Sequence, residues 1–435
     1  LAKVEPDPEH VDFGLITNFK MIKQTSGGTS SPEGFAVTSN YVHSSLLNYV
    51  NAGSATGTRN YVTHFRTDKN FNSVTPLNSY NFSTLASWGT TNAAISSMQP
   101  DTSDGIYAGF SFNQGSTYNL KGCGILKVNS SSSQQWKRFI TGSSDNTYRA
   151  RFLSDMHANA NGYSALAVQA EGSATGANDV GVIGLFNSSG TQQWVKMLKN
   201  GQYWTIRGVH VDSSQNVYIC GDNGPNSGYG YKRPVVVKLN SSGVLQWCKK
   251  VSVTLPSSTT SAGWVAHIYS KNIAIHGNDI YISIRYAESD PRNNVWSLDQ
   301  RCGIMKLDTS GNFGYYHEIT SASTDTGMST ANQSYMKNIG VDSQGNVILG
   351  FRGPSNAKYL MKIPQSKAQS GAFTGTYLGD VEINALSNGS LPTNPVTVTD
   401  WVPGSTTSPF VLTGSNASLT NPNVTLTTNN TSYLY

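Results

Sequence analysis

Charge is scarce in this chain. Only 13% of its 435 residues are Asp, Glu, Lys or Arg, about half the usual share. The formal net charge of +5 is small for the length, and no run of Lys or Arg occurs, so nucleic-acid binding has no electrostatic footprint. No stretch approaches the apolar length a membrane-crossing helix requires. Cysteine is sparse too, with four residues and no Cys-x-x-Cys pair, which removes zinc sites of that kind. Cys123 and Cys302 precede matching strands of different repeats, while Cys220 and Cys248 fall two strands apart in one repeat. Strands so placed lie roughly 10 Å apart, beyond disulfide reach, so four free, mostly buried thiols are expected.

Catalytic signatures are equally thin. There is no Gly-x-Ser-x-Gly elbow, no His-Glu-x-x-His and no Gly-rich phosphate loop. The turns at Asp212, Asp308 and Asp342 lack the spacing of a calcium loop. The eight His residues are scattered: His43, His64 and His157 lie near strand ends, and His210 and His267 in innermost-strand contexts. The expectation is a chain that is not an enzyme and holds no metal or cofactor. One reservation concerns Asp155, Glu171 and Glu288, carboxylates that ring closure could bring together for glycosidase chemistry.

What the chain has in quantity is Ser, Thr, Asn and Gly, arranged in a repeat. Val236–Trp247 reads VVKLNSSGVLQW, and Gly124–Trp136, Ile183–Trp194 and Gly303–Tyr315 are variants of it. Each is an apolar strand, an Asn/Ser/Gly turn and a second strand opening on an aromatic. A second hairpin, Val211–Gly221, recurs at Val341–Gly350. Asn, Asp, Ser and Gly supply the side-chain hydrogen bonds and positive φ that such turns need. The segment Gly53–Gly57 recurs at Gly172–Gly176, 119 residues on, or two units of about sixty residues.

The predicted fold is an all-β propeller of four-stranded blades. Residues 34–384 supply six explicit repeats, residues 1–33 an N-terminal arm with one closing strand, and residues 385–435 further strands. Gly14–Lys23 has no local partner. Pairing it with Val396–Trp401, Pro409–Gly414 and Val424–Thr427 would complete a seventh blade and remove the sheet edges, so seven blades are favoured over six with extended arms.

Within each unit, strands a to d alternate in direction, so a–b and c–d turns share one face of the disc. The b–c and d–a loops, such as Asp222–Arg233, Ala287–Arg301, Ser252–Gly263 and Ser321–Gln333, share the other and differ in every unit. Variable loops on a rigid scaffold are where binding usually resides. Their aromatics Tyr203, Tyr229, Tyr231, Trp264 and Trp296 are the candidate ligand-binding residues. Trp136, Trp194 and Trp247 hold one register and are assigned to packing between blades.

The segments Val211–Gly221, Lys238–Trp247, Val341–Gly350 and Ile304–Gly311 resemble the repeats of SBBP-type (seven-bladed β-propeller) proteins. They are similar to repeats in structural proteins of marine tailed phages and in secreted bacterial surface proteins. The turn-plus-Trp also resembles quinoprotein propellers, but Asn-Ser-Ser-Gly replaces their usual turn and no vicinal Cys pair exists. The resemblance implies a virion tail or fibre component that assembles with other virion proteins and recognises a host-surface glycan or protein. The alternative is a secreted bacterial surface or filament-associated binding module, and a third reading is a carbohydrate-active enzyme. The chain begins at Leu1 without an initiator Met, which implies a removed leader or an incomplete N-terminus. Asn-x-Ser/Thr matches such as Asn240 and Asn423 are expected to be chance products of turn composition.

Overall fold

The computed structural model describes residues 2–5, 12–13, 15–24, 30–48, 61–69, 74–81, 91–114, 121–131, 133–143, 148–172, 179–199, 203–224, 233–252, 265–290, 295–321, 336–352, 358–373, 375–377, 381–385, 397–400, 404–407, 410–413 and 426–430. Within these, antiparallel meanders of four strands repeat as six blades of a β-propeller. Blade 1 is Ser30–Val37, Tyr41–Asn48, Tyr61–Asp68 and Val74–Asn81. Blade 2 is Thr91–Pro100, Ile106–Gln114, Lys121–Val128 and Gln134–Ser143. Blade 3 is Tyr148–Ala158, Ser164–Gly172, Val180–Phe186 and Gln192–Lys199. Blade 4 is Tyr203–Val211, Val217–Gly224, Arg233–Leu239 and Leu245–Ser252. Blade 5 is Val265–His276, Asp279–Asp290, Val295–Asp308 and Phe313–Ser321.

Blade 6 is composite. Met336–Val341, Val347–Arg352 and Lys358–Ile363 come from the repeat, and the fourth strand is Asp12–Phe13 from the N-terminal arm. The weak last strand expected near Thr374–Asp380 does not take that place. Gly375–Tyr377 pairs instead with Val381–Ala385, on the outer edge of blade 5. Where the other blades have a c–d turn, blade 6 has a short helix, Gln365–Ser370, ended by Gly371 in the left-handed region.

The seventh blade is not shown. Leu15–Gln24 does pair with a C-terminal strand, Leu426–Asn430, but in a three-stranded sheet with Ala2–Glu5. The other C-terminal strands add to outer edges in reverse chain order. Val381–Ala385 lies on blade 5, Thr397–Asp400 on blade 4, Gly404–Thr407 on blade 3 and Phe410–Thr413 on blade 2. An outermost strand presents unpaired N–H and C=O groups, so these edges recruit strands that would otherwise have built a separate sheet.

The turns on one face explain the sequence repeat. In blade 4 the Ser242 and Val244 N–H groups donate to Asn240 Oδ1 at 3.0 and 2.9 Å, and Gly243 closes the turn at φ 73°. The same scheme holds at Asp308, where the Ser310 and Asn312 N–H groups donate at 2.9 and 2.8 Å. Each turn then receives an aromatic from the preceding blade. Trp136, Trp194 and Trp247 donate their indole N–H to the carbonyls of Ser188, Ser241 and Thr309 at 2.9, 2.9 and 3.1 Å. Tyr315 makes the equivalent bond to Ala368 of blade 6 at 2.6 Å. A Cβ on Gly243 would come within 2.9 Å of the Trp194 ring, so glycine serves both the turn and the latch. The indoles are therefore packing groups, as their register implied. The four cysteines are buried and none is in a disulfide.

Candidate binding site in the axial cavity

The innermost strand of every blade is a sheet edge facing the axis, and its backbone must be satisfied from outside its own sheet. In blades 2 to 6 this strand carries a β-bulge at one position, marked by register shifts at Ile95/Ser97, Leu153/Asp155, Ile206/Gly208, Ser270/Asn272 and Met336/Asn338. Blade 1 has its bulge between Pro32 and Phe35. Bulges disrupt the local ladder and re-aim side chains.

Polar side chains of one blade take up the edge N–H groups of the next. The Ile206, Val209 and Val211 N–H groups of blade 4 donate to Gln169 Oε1, Asp155 Oδ2 and His157 Nδ1 of blade 3 at 3.1, 3.1 and 3.2 Å. In the same way the Ser270 N–H of blade 5 donates to Asp222 Oδ1 at 2.8 Å. The other oxygen of the fully buried Asp222 accepts from Arg207 Nε at 3.0 Å, which neutralises the pair.

Along the axis these strands enclose a cavity of about 740 Å³ lined by residues from all of the blades. Its walls are unlike. Two residues before the Asx that opens each a–b turn stand Gln99 in blade 2, His157 in blade 3 and His210 in blade 4. The equivalent positions in blades 5 and 6 hold Ala274 and Gly340, and Ala36 contributes from blade 1. One wall is thus polar and the opposite wall small and apolar. Nearer the loop face the residues that follow the bulge are Ser97, Asp155, Asn272 and Asn338.

Burial sets the protonation of the polar wall. The His157 and His210 rings stack with centroids 3.7 Å apart. Loss of solvent holds His157 down to about 4 and His210 well below the ordinary imidazole value, with the mutual repulsion of the two rings adding to the second. Both are neutral at pH 7, and His157 must keep its proton on Nε2 because Nδ1 is an acceptor. Burial raises Asp155 to about 6, against the opposing pull of the Val209 and Met156 N–H groups and Ser97. Between Asp155 and Ser97, the blade 2–blade 3 contact is completed by a hydrogen bond from Ser97 Oγ to the Met156 carbonyl at 3.1 Å.

The cavity also runs sideways into the seam between blades 6 and 1. Its lining includes Ile348, Gly350 and Leu360, which belong to the second and third strands of blade 6 and face blade 1. Leu360 is 45% exposed and Val37 of blade 1 is 49% exposed. Innermost strands of the other neighbouring blades pack against each other; Met336–Val341 and Ser30–Val37 do not pack comparably among the described residues. Gly109 of blade 2 and Gly350 occupy one register position, opposite Ser97 and Asn338. A Cβ on Gly109 would meet Leu153 of blade 3 at 2.6 Å, whereas one on Gly350 would meet nothing within 4 Å among the described residues.

Of the five loop aromatics expected to bind ligand, Tyr203 is the one whose side chain is described, and it does not line this cavity. Tyr203 opens the first strand of blade 4, paired with Gly224 and half-buried. Trp296 is in a strand, opposite Ser289, because the loop expected at Ala287–Arg301 is largely an extension of the hairpin that narrows to residues 291–294. Tyr229, Tyr231 and Trp264 lie outside the described residues. Of the carboxylates, Asp155 lines the cavity, while Glu171 is 3.6 Å from Arg151.

No protein-family model and no curated protein matches the chain. Among solved structures, it is similar to a protein of unknown function from Dyadobacter fermentans, at 10% identity and TM-score 0.42, over 79% of this chain and 96% of that one. A neuraminidase-like protein of A/little yellow-shouldered bat/Guatemala aligns at 9% identity and TM-score 0.40, over 80% and 98%. Levansucrase from Bacillus subtilis aligns at 12% identity and TM-score 0.33, over 67% and 84%. A glucose dehydrogenase and a GH43_1 enzyme from Xanthomonas citri are further neighbours. These neighbours are mostly enzymes, which corrects the expectation of a chain that is not an enzyme. The physical reason is that a propeller gathers reacting groups from separate blades, so the lack of a linear motif excludes no chemistry. At these identities the likeness concerns the fold, and no activity is transferred.

Proposed function

We propose that the chain is a recognition and assembly module on the exterior of a particle: a tail or fibre component of a tailed phage, binding a host-surface glycan or protein. The observation that carries this reading is a division of labour between the rim and the axis of the ring. One face is locked by four aromatic latches onto neighbouring turns. The ring encloses an axial cavity with polar and small apolar walls. A rigid ring around a chemically mixed cavity is the form of a ligand-binding site. The outer edges of blades 2 to 5, each extended by a C-terminal strand, add a means of joining other chains, since strand addition at an edge gives affinity through the backbone.

The low charge, the Ser/Thr/Asn-rich composition and the resemblance of the turns to phage repeats support the virion setting; a secreted bacterial surface module would use the same cavity and edges. The test is co-sedimentation of the native chain with particles, together with adsorption of purified chain to intact bacterial cells. The expected result is recovery in a large particle and saturable adsorption. A chain that stays monomeric, joins no particle and adsorbs to no cell contradicts the proposal.

A further inference from the structure

We infer that the axial cavity, with its extension into the blade 6–blade 1 seam, is a binding site for a neutral saccharide of a few units. This deepens the proposed recognition function and rests on it for the ligand's biological source, but not for its chemistry.

A sugar ring asks for two things at once: an apolar surface for its C–H face, and paired donors and acceptors for its hydroxyl edge. The cavity offers both on opposite walls. Gln99 brings an amide donor and acceptor, and neutral His157 a ring N–H at Nε2. Asp155 accepts from the Val209 and Met156 N–H groups and from Ser97, which leaves one of its roughly four lone-pair sites. Across from them stand Ala36, Gly340 and Ala274, with Asn272 beside Ala274 on the same strand; its amide oxygen accepts from the Ile273 N–H at 2.7 Å, leaving its amino group. Beyond these is the seam with Gly350, Ile348 and Leu360.

The charges favour neutrality. His157 and His210 are uncharged, Arg207 is matched by Asp222, and the remaining formal charge among the described lining groups is the Asp155 carboxylate, which accepts hydroxyls and repels carboxylated sugars. Lys271 and Lys337 occupy the bulge position in blades 5 and 6; their side chains lie outside the described residues. The seam gives the ligand room for more than one ring, because a Cβ on Gly350, unlike one on Gly109, would meet nothing within 4 Å among the described residues.

The experiment uses the purified full chain with four neutral trisaccharides, of gluco, galacto, manno and N-acetylglucosamine configuration, and 3′-sialyllactose as the acidic comparator. Saturation-transfer NMR and calorimetry are the readouts. At least one neutral trisaccharide is expected to bind with a Kd of about 1 mM or tighter. Gly350→Phe, which fills the seam, and Gln99→Ala, which removes a polar-wall amide, are each expected to weaken it roughly tenfold while the melting temperature stays close to wild type. Binding of sialyllactose alone, binding indifferent to both substitutions, or no binding by any neutral trisaccharide overturns the inference. If cell adsorption persists while no saccharide binds, the recognition reading stands and this site assignment falls.

Discussion

The junction between blades 3 and 4 and the junction between blades 6 and 1 are built on the same register, yet among the described residues only the first is filled. At the first, Ala165, Ala167, Ile183 and Leu185 pack against Ile206, Val209 and Val217 in one buried cluster. Gln169, Asp155 and His157 satisfy the edge N–H groups above it, and Trp194 bolts the rim. At the second, the blade 6 positions that correspond to Ala165 and Ala167 hold Ile348 and Gly350, and the latch position holds Asp12 from the N-terminal arm. A propeller tolerates one unfilled junction because the others are closed independently.

The contrast can be broken or sharpened in several ways. The largest expected effect is at the latch. Trp194→Ala removes a side chain 7% exposed together with its hydrogen bond to Ser241, and should cost about 3–5 kcal/mol in chemical denaturation. Thr75→Ala, at the same register in blade 1, opposite Arg66, should change stability by less than about 0.5 kcal/mol. Equal losses would show that the latches do not close the ring.

Acid should act next. His43, His64 and His157 are held at about 4, 3 and 4 by burial, and His210 lower than its ordinary value. The unfolded chain takes up protons near pH 6.5 and the folded chain does not until about pH 4, so stability present above pH 6.5 is lost as pH falls through that window. Asp155, raised to about 6, acts in the opposite sense between pH 6 and its unfolded value, and offsets only part. Denaturation midpoints measured from pH 7 to 4.5 should fall by on the order of several kcal/mol, and hydrogen exchange should show Val211, whose N–H rests on His157, losing protection early. A stability that is flat across this range would contradict neutral, buried imidazoles.

A smaller effect is expected at Asp155. Asn at this position keeps an acceptor for the Val209 N–H and removes a charge that burial disfavours, so Asp155→Asn should raise stability at pH 8 by about 1 kcal/mol. The same substitution should weaken saccharide binding. A loss of stability would mean that the carboxylate is better compensated than its surroundings indicate.

Much of the ring was legible because its determinants are local. Asn240-Ser-Ser-Gly243 and Asp342-Ser-Gln-Gly-Asn346 encode their turns within five residues, and the common register of Trp136, Trp194 and Trp247 exposed the latch. What sequence reading missed depends on partners far away in the chain. Nothing in Asp12–Phe13 announces pairing with Met361 and Lys362, and short polar strands such as Thr397–Asp400 fit any open edge, which is how a seventh blade came to be expected. The polar wall was missed for a different reason. Gln99, His157 and His210 look scattered, yet each stands two residues before an Asx turn, and counting from the turns would have aligned them. Loop aromatics drew attention instead because they break the repeat, whereas the cavity groups lie within it.

The most direct test of the unfilled seam is a pair of substitutions at one register position, Gly109→Val and Gly350→Val, compared by thermal and chemical denaturation. Valine in blade 2 must displace Leu153 and Met156 and should cost about 1–3 kcal/mol. In blade 6 it meets nothing within 4 Å among the described residues and should be neutral or raise stability by a few tenths of a kcal/mol, since valine suits a strand better than glycine. Equal destabilisation at the two positions would mean that blades 6 and 1 are packed together like the rest, and that the cavity does not extend between them.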